Sequence, residues 1–209
     1  MKNRTIYRFN MISPFKSLCQ SAKAFLFLLI ILFFNGCVNN YTPKPRGFFR
    51  IDFPKKEYQT YTGECPFSFD FPTYAVIEKD ASAYAEPCWM NVSMKQFKAT
   101  VHLSYKSLGN LNKLVEDSRG LVYKHTVKAD AIEETILNDP QHKIYGTFYN
   151  LRGNTASAVQ FYLTDSSKHF LRGALYFYTV PQADSLAPVL SFIKQDIDVM
   201  IKTFRWKAQ

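Results

Sequence analysis

The stretch KATVHLSY, residues 98–105, decides the fold class of this chain, because apolar and polar side chains alternate along it. Its apolar positions are Ala99, Val101, Leu103 and Tyr105, and a polar residue stands between each pair. A period of two places the apolar side chains on one face and the polar ones on the other, as in a half-buried β-strand. The stretch therefore predicts a sheet with one face against the core.

Similar patterns on both sides of this stretch predict further strands. The chain is rich in aromatic residues, with 19 Phe and 13 Tyr, and these residues favour strands over helices. Three of the strands end at Pro54, Pro72 and Pro181, because proline cannot donate a ladder hydrogen bond. The predicted extended segments cover residues 49–53, 67–71, 74–78, 89–94, 129–137, 143–151, 156–164 and 169–180.

Two stretches have the 3.6-residue period of an amphipathic helix instead. The first follows Asn110, which suits the N-cap, and its apolar stripe ends near His125. The second begins at Asp184 or Ser185, and its apolar stripe spans residues 190–204. Strands and helices in this order predict one α+β domain, an antiparallel sheet with two packed helices.

The N-terminal 36 residues have the features of a lipoprotein signal peptide. Five basic residues and no acidic one accompany an apolar run over residues 24–34, and Gly36 then precedes Cys37. A small residue before a cysteine predicts that Cys37 accepts the lipid and becomes the first residue after cleavage. The alternative is an uncleaved membrane helix, but an 11-residue run spans roughly 16 Å of a hydrocarbon core about 30 Å thick.

The mature chain is then divided into a tether and a domain. Residues 37–46 form the lipidated cysteine and a short linker with two prolines, and residues 47–209 form a single domain. Of the full chain's net charge of +9, the leader contributes +5 and residues 38–60 contribute +3, so the rest is nearly balanced. This distribution excludes a basic nucleic-acid-binding domain and fits a tether that lies close to anionic phospholipid.

Two cysteines remain in the domain, Cys65 and Cys88. In an exported protein such a pair most simply forms a disulfide. A metal or redox role is the alternative, but the chain has no CxxC motif and no histidine at ligand spacing from either cysteine. We therefore predict a structural disulfide and no metal site.

A search for catalytic motifs finds none. The chain contains no GxSxG, HExxH, phosphate-binding loop or GxGxxG, and its four histidines are scattered singly, in solvated strand or turn positions apart from His125. The chain is predicted to be non-enzymatic and to need no cofactor, the alternative being an enzyme whose site residues are dispersed along the sequence.

A basic and aromatic cluster follows the linker. It contains Arg46, Phe48, Phe49 and Arg50, and exposed arginine and aromatic side chains are typical of binding hot spots. We therefore predict an interaction surface there for a protein or a lipid headgroup. A solvated face beside the membrane is the alternative.

Several segments resemble the gliding motility lipoprotein GldD family of Bacteroidota, in this order along nearly all of the mature chain: PKPRGFFRI at 43–51, CPFSF at 65–69, PCWMN at 87–91, FKATVHLSYK at 97–106 and YKHTVKADAI at 123–132. The resemblance implies a lipoprotein needed for cell gliding and for the type IX secretion machinery on which gliding depends. It brings no catalytic motif with it, so no active-site residue is implied.

These observations lead to a functional expectation. We expect a lipid-anchored, non-enzymatic accessory protein that binds another envelope component from the periplasmic side, since no acidic residue follows Cys37 before Asp52. The alternative is a carrier or sensor of a small apolar ligand held between sheet and helices. The triplet Asp184-Ser185-Leu186 also resembles the motif at which this phylum attaches O-linked sugars, although Asp-Ser is equally a good helix N-cap.

Overall fold

The computed structural model describes residues 50–180 and 182–207. The predicted signal peptide (1–36), the predicted lipid attachment residue Cys37, the linker 37–46 and the side chains of Arg46 and Phe48 lie outside the described residues. The described part contains ten strands, two α-helices and a short 3-10 helix, Lys95–Phe97. The strands are β1 Tyr58–Tyr61, β2 Phe67–Pro72, β3 Val76–Lys79, β4 Met90–Met94, β5 Ala99–Ser107, β6 Ala129–Asp139, β7 Ile144–Gly153, β8 Ser157–Thr164, β9 His169–Phe177 and β10 Arg205–Trp206, and the helices are α1 Leu111–Tyr123 and α2 Ala183–Thr203.

The strands form two antiparallel sheets. The larger sheet has seven strands in the order β3-β4-β5-β9-β8-β7-β6, and the smaller has three in the order β1-β2-β10. β5 and β9 pair over nine residues each, which places residues 99–105 in an interior strand of the large sheet. The prediction of an α+β domain with antiparallel strands and two helices is therefore confirmed.

The main core lies between one face of the large sheet, helix α2 and strand β2. Val101 and Leu103 of β5 are 0% and 1% exposed, as the alternating pattern predicts. Ile193 and Ile197, one turn apart on α2, are both 0% exposed. Full burial of such a side chain stabilises the fold by about 1.5–3 kcal/mol, so this layer holds α2 against the sheet.

Helix α1 packs on the opposite face of the large sheet. Its residue Val122 contacts Tyr149 and Leu151 of β7, whose side chains alternate with those that face α2. The helix begins as predicted, because the Asn110 side-chain oxygen accepts a hydrogen bond from the Lys113 backbone N–H at 3.1 Å. The large sheet is thus covered by one helix on each face.

Four local predictions are corrected by the structure. Residues 50–57 form no strand, because they pair with no neighbouring strand, and Phe53 instead stacks on Phe192 of α2 with ring centroids 4.5 Å apart.

The N-cap of α2 is Gln182 rather than Asp184 or Ser185. His125 follows the end of α1 instead of lying on it. His169 is buried rather than solvated, and its Nδ1 is hydrogen-bonded to the Tyr105 hydroxyl at 2.8 Å.

Neither α-helix in the described part of the chain is long and apolar enough to cross a membrane.

Candidate binding cleft beside helix α2

A cleft of about 270 Å³ lies between the first half of α2 and the ends of strands β7, β8 and β9. Its walls are mainly apolar, with Leu186 and Leu190 on the helix side and Ala158 and Phe177 on the sheet side. Ala187, an exposed residue of α2, also lines it. The small side chains of Ala158 and Ala187 do not fill the space between the two walls, and this leaves the cleft open.

Polar groups surround one end of the cleft. Lys194 of α2 donates a hydrogen bond to the Asn150 side-chain oxygen, and the Asn150 amide donates to Glu133 at 2.8 Å. Arg152 forms an ion pair with the same Glu133. Partial burial lowers the pKa of Lys194, while the Glu133 carboxylate opposes that change. The hydrogen bond from Asn150 and the charge of Arg152 in turn lower the pKa of Glu133.

The two ends of the cleft differ in charge. Asp184, in the first turn of α2, lines the cleft together with Lys194, which is ten residues further along the helix. At a rise of 1.5 Å per residue this spacing is about 15 Å. An acidic end and a basic end thus lie on either side of an apolar middle, which can orient an elongated occupant.

A buried polar network holds the segment before β1 against the same helix. Asp196 of α2 is 0% exposed, and its Oδ1 atom lies 2.6 Å from the Lys56 ammonium group and 2.9 Å from the Tyr58 hydroxyl. The Tyr74 hydroxyl donates to the second carboxylate oxygen. Lys56 also donates to the Phe192 backbone carbonyl at 2.8 Å and lies over the Phe192 ring.

The tyrosines of this network are protonated at neutral pH. Burial raises the pKa of Tyr58 to about 12, and the hydrogen bond to Asp196 adds to the increase. Burial and the same carboxylate raise the pKa of Tyr74 further. Both hydroxyls therefore remain donors to Asp196, which satisfies a carboxylate that would otherwise be costly to bury.

Comparison with known proteins supplies the family. A family model described as "Gliding motility lipoprotein GldD" matches residues 38–206. The chain belongs to the GldD family. As a member of the GldD family it is a gliding motility lipoprotein, and a lipoprotein is associated with the cell envelope through its lipid anchor.

A solved structure resembles this GldD family member at low sequence identity. Comparison with curated protein sequences found no match. Among solved structures, the chain is similar to the solution structure of the cyanobacterial PsbP protein (CyanoP) from Synechocystis sp. PCC 6803, with 14% sequence identity and a TM-score of 0.46. That similarity covers 78% of this chain and 98% of the cyanobacterial one.

The site residues predicted from the sequence of this GldD protein do not lie together in one site among the described residues. Cys65 and Cys88 form a disulfide with their Cα atoms 5.6 Å apart. Arg50 is at the surface, where its Nε donates to Asp52 at 3.1 Å. Ser185 is exposed in the first turn of α2, between two residues that line the cleft. Within residues 50–180 and 182–207, no three His, Cys, Asp or Glu side chains are grouped so that they could hold a metal ion.

Sequence reasoning gave a ligand site between sheet and helices only as an alternative, without its residues, and it missed the Asp196 network. A signal for the network exists, because Asp196 lies between Ile193 and Ile197 on the apolar stripe of α2, where an acidic residue is out of place. Its partner Lys56 is 140 residues away, so the pairing cannot be seen from a local pattern. The cleft depends on how two separate elements approach each other, which local patterns do not specify.

Proposed function

We propose that this GldD family member is a non-enzymatic, lipid-anchored accessory protein of the gliding apparatus and of the associated type IX secretion machinery. It acts in the periplasm by binding another envelope protein. Family membership supports the gliding role, and the cleft beside α2 is the single structural observation that supports binding of a partner.

The size and lining of the cleft favour a protein segment as its occupant. Small-molecule pockets usually enclose about 300–1,000 Å³, and a cleft of about 270 Å³ open at the surface is better suited to a few apolar side chains. An apolar middle with Asp184 near one end and Lys194 near the other matches an extended peptide that carries opposite charges around an apolar stretch.

Helix α2 carries both the cleft and the buried Asp196 network. Helix α2 carries the cleft on its first half and Asp196 on its second half, and Asp196 binds Lys56, a few residues after the tether. Helix α2 therefore connects the cleft to the Asp196–Lys56 ion pair.

The proposal is tested by filling the cleft. Ala187→Trp places an indole in the cleft from an exposed helix position, so the core stays intact. Gln195→Trp, also on an exposed position of α2 but away from the cleft lining, is the matched control. Each variant is expressed from its native locus, and bound proteins are recovered from the envelope after mild crosslinking.

We expect the Ala187→Trp variant to lose its crosslinked partner and to form non-spreading colonies, while the Gln195→Trp variant keeps both properties. If the cleft-filling variant recovers the same partners and spreads normally, the cleft is not the binding site.

The second candidate function is binding or sensing of a small apolar ligand, and the largely apolar cleft walls favour it. Native mass spectrometry of the lipoprotein released from detergent distinguishes the two functions. A small molecule that stays bound to the unsubstituted protein and is absent from Ala187→Trp would support the ligand-binding role. Protein crosslinks that persist in Ala187→Trp, together with such a molecule, would replace the first function with the second.

A further inference from the structure

A second cleft, of about 290 Å³, lies where three separate segments of the chain meet. The segments are the turn between β6 and β7, the turn between β8 and β9, and the end of the chain around β10. We call it the basic cleft, and its lining includes Lys143, Lys168, Lys207, Asp165, His169 and Trp206. None of the described residues lines both this cleft and the one beside α2, so the two are separate sites.

The lining of the basic cleft carries more positive than negative charge. Lys143 and Lys168 are exposed, and neither forms an ion pair with a carboxylate of the described residues. Lys207 adds a third ammonium group, which donates to a backbone carbonyl rather than to a carboxylate. His142 also lines the cleft, but its Nδ1 is held by Asp139 at 2.6 Å. Lysine ammonium groups are point charges of the kind that bind phosphate in many proteins.

Asp165 is the acidic residue of this lining, and its own turn occupies it. The carboxylate accepts hydrogen bonds from the backbone N–H groups of Ser167, Lys168 and His169 at 2.8–3.0 Å. It also accepts one from the Ser167 hydroxyl at 2.9 Å. These donors hold the carboxylate within the turn, which leaves the lysine ammonium groups available to a ligand.

Two aromatic rings at the basic cleft have nitrogen atoms without a hydrogen-bond partner among the described residues. The Trp206 ring lines the cleft, and its enclosed Nε1 donor is unpaired. His169 is 5% exposed, and its Nδ1 is bonded to the Tyr105 hydroxyl at 2.8 Å, while Nε2 has no bond within the described part of the chain. Buried N–H groups are nearly always paired, so an unpaired indole donor in the wall of a basic cleft indicates that a ligand supplies the acceptor.

The backbone of Lys143 gives a second reason to assign a role to its side chain. Its φ is 54°, in the left-handed region where glycine or asparagine is the usual residue. A lysine there makes the turn less stable than either of those residues would. Residues kept in such conformations are concentrated at functional sites, and Lys143 is one of the residues that line the cleft.

We propose that the basic cleft binds a phosphate group, carried either by a lipid headgroup or by a small soluble molecule. The phosphate oxygens accept hydrogen bonds from the ammonium groups of Lys143 and Lys168 and from the Trp206 indole N–H. A cleft of about 290 Å³ is just below the usual range of small-molecule pockets, so it holds the phosphate group while the rest of the ligand stays outside. The site does not depend on the function proposed for the cleft beside α2.

Isothermal titration calorimetry on the full-length lipoprotein in neutral detergent tests this proposal with defined probes. Inorganic phosphate and glycerol 3-phosphate supply the phosphate group, and glycerol is the control without it. We expect both phosphates to bind at least tenfold more tightly than glycerol, because each charge-assisted hydrogen bond is worth roughly a factor of ten or more in affinity.

Two double variants locate the binding. Lys143→Asn with Lys168→Gln removes two ammonium groups of the cleft, and asparagine suits the left-handed conformation at position 143. We therefore expect the affinity for glycerol 3-phosphate to fall roughly 10- to 100-fold while the melting temperature stays the same or rises. Lys113→Gln with Lys124→Gln removes the same charge from exposed positions outside the cleft lining, and this matched control should keep its affinity.

The fluorescence of Trp206 reports directly on the cleft. The chain has two tryptophans, so the signal of Trp206 is the difference between the unsubstituted protein and Trp206→Phe, in which Trp89 remains. We expect this signal to change on titration with inorganic phosphate.

Nanodiscs distinguish the two sources of the phosphate group. The lipoprotein is placed in nanodiscs of phosphatidylcholine alone or of equal parts of phosphatidylcholine and phosphatidylglycerol. A lipid headgroup in the cleft would make the Trp206 signal differ between the two nanodiscs. A site for a soluble phosphate would give the same signal in both, and that signal would still respond to glycerol 3-phosphate.

Three results would overturn the proposal. The first is that neither phosphate binds more tightly than glycerol and the Trp206 signal is the same in the two nanodiscs. The second is an equal loss of affinity in the two double variants, which would show that only the net charge of the protein matters. The third is a Trp206 signal that does not respond while phosphate binds, which would place the binding elsewhere.

Discussion

The Lys56 ammonium group and the fully buried Asp196 carboxylate lie 2.6 Å apart, although 140 residues separate them in the sequence. Loss of one partner from a buried ion pair leaves an uncompensated charge and costs about 3–5 kcal/mol. We therefore expect Lys56→Met to lower the free energy of unfolding by an amount in this range, measured by urea denaturation. Lys55→Met is the control: Lys55 is 84% exposed and pairs with Glu57 at the surface, so its loss should cost less than about 1 kcal/mol. Equal effects of the two substitutions would contradict the role of the buried pair.

The disulfide between Cys65 and Cys88 closes a loop with a sequence separation of 23. In the chain-entropy model a loop of that length stabilises the fold by roughly 3 kcal/mol. We expect the double substitution Cys65→Ser and Cys88→Ser to lower the free energy of unfolding by about this amount. The native protein should show no reactive thiol from either residue before reduction, and thiols that react freely in freshly prepared protein would exclude the bond.

Asp165 caps the turn between β8 and β9 and gives the fold a dependence on pH. Burial alone would raise the pKa of Asp165, but hydrogen bonds from the backbone N–H groups of Lys168, His169 and Ser167 outweigh it and lower the pKa to about 2. A carboxyl whose pKa is lower in the folded state than in the unfolded chain stabilises the fold above about pH 4, and this stabilisation is lost as the pH falls toward 2.

We therefore expect Asp165→Asn to be less stable than the unsubstituted protein by roughly 1–2 kcal/mol at pH 6, allowing for solvent screening. The difference should shrink between about pH 4 and pH 2 when unfolding is followed by denaturant titration at each pH. A difference that is the same at all pH values would show that the carboxylate charge is not responsible.

Arg50 is 89% exposed on its side chain and pairs with Asp52, which is also exposed. Replacement of Arg50 and Arg46 by alanine should therefore change the free energy of unfolding by less than about 0.5 kcal/mol. If these arginines contact a partner or lipid headgroups, the double variant should glide poorly at an unchanged melting temperature. Normally spreading colonies would show that they form only a solvated face near the membrane.

Ser185 is exposed in the first turn of α2. Its hydroxyl donates a hydrogen bond to the Gln182 side-chain oxygen at a distance of 3.3 Å. Because Gln182 is the helix N-cap, Ser185 is not needed for that role, and its hydroxyl is accessible. We predict that Ser185 of the native protein carries an O-linked sugar, visible as a mass increase on its peptide that Ser185→Ala abolishes. An unmodified peptide from native envelopes would contradict this prediction.

Local patterns were enough to predict most of the large sheet and the beginning of α1. The alternation of residues 98–105 appears in the structure as β5, and Asn110 caps α1, because both depend on side chains close together in sequence. Phe49, Ile51 and Phe53 alternate as well, but residues 50–57 form no strand, since alternation cannot show whether a neighbouring strand is present.

The parts that the sequence could not predict depend on distant pairing. β1 has four residues and β10 only two, and both exist because β2 lies between them. The cleft beside α2 depends on where α2 crosses the sheet. The sequence near these residues contains no pattern that predicts the short strands or the cleft.

The pairing of β10 with β2 has a consequence for how the chain matures. Phe67, at the start of β2, is 0% exposed, and it contacts Phe204 and Trp206 near the end of the chain. Phe67 therefore cannot be fully buried until Phe204 and Trp206 are in place. A chain that crosses a membrane from its N-terminus would therefore emerge without a finished core. Its vulnerable interval, during which proteases and chaperones compete for it, ends only when residues 204–206 arrive.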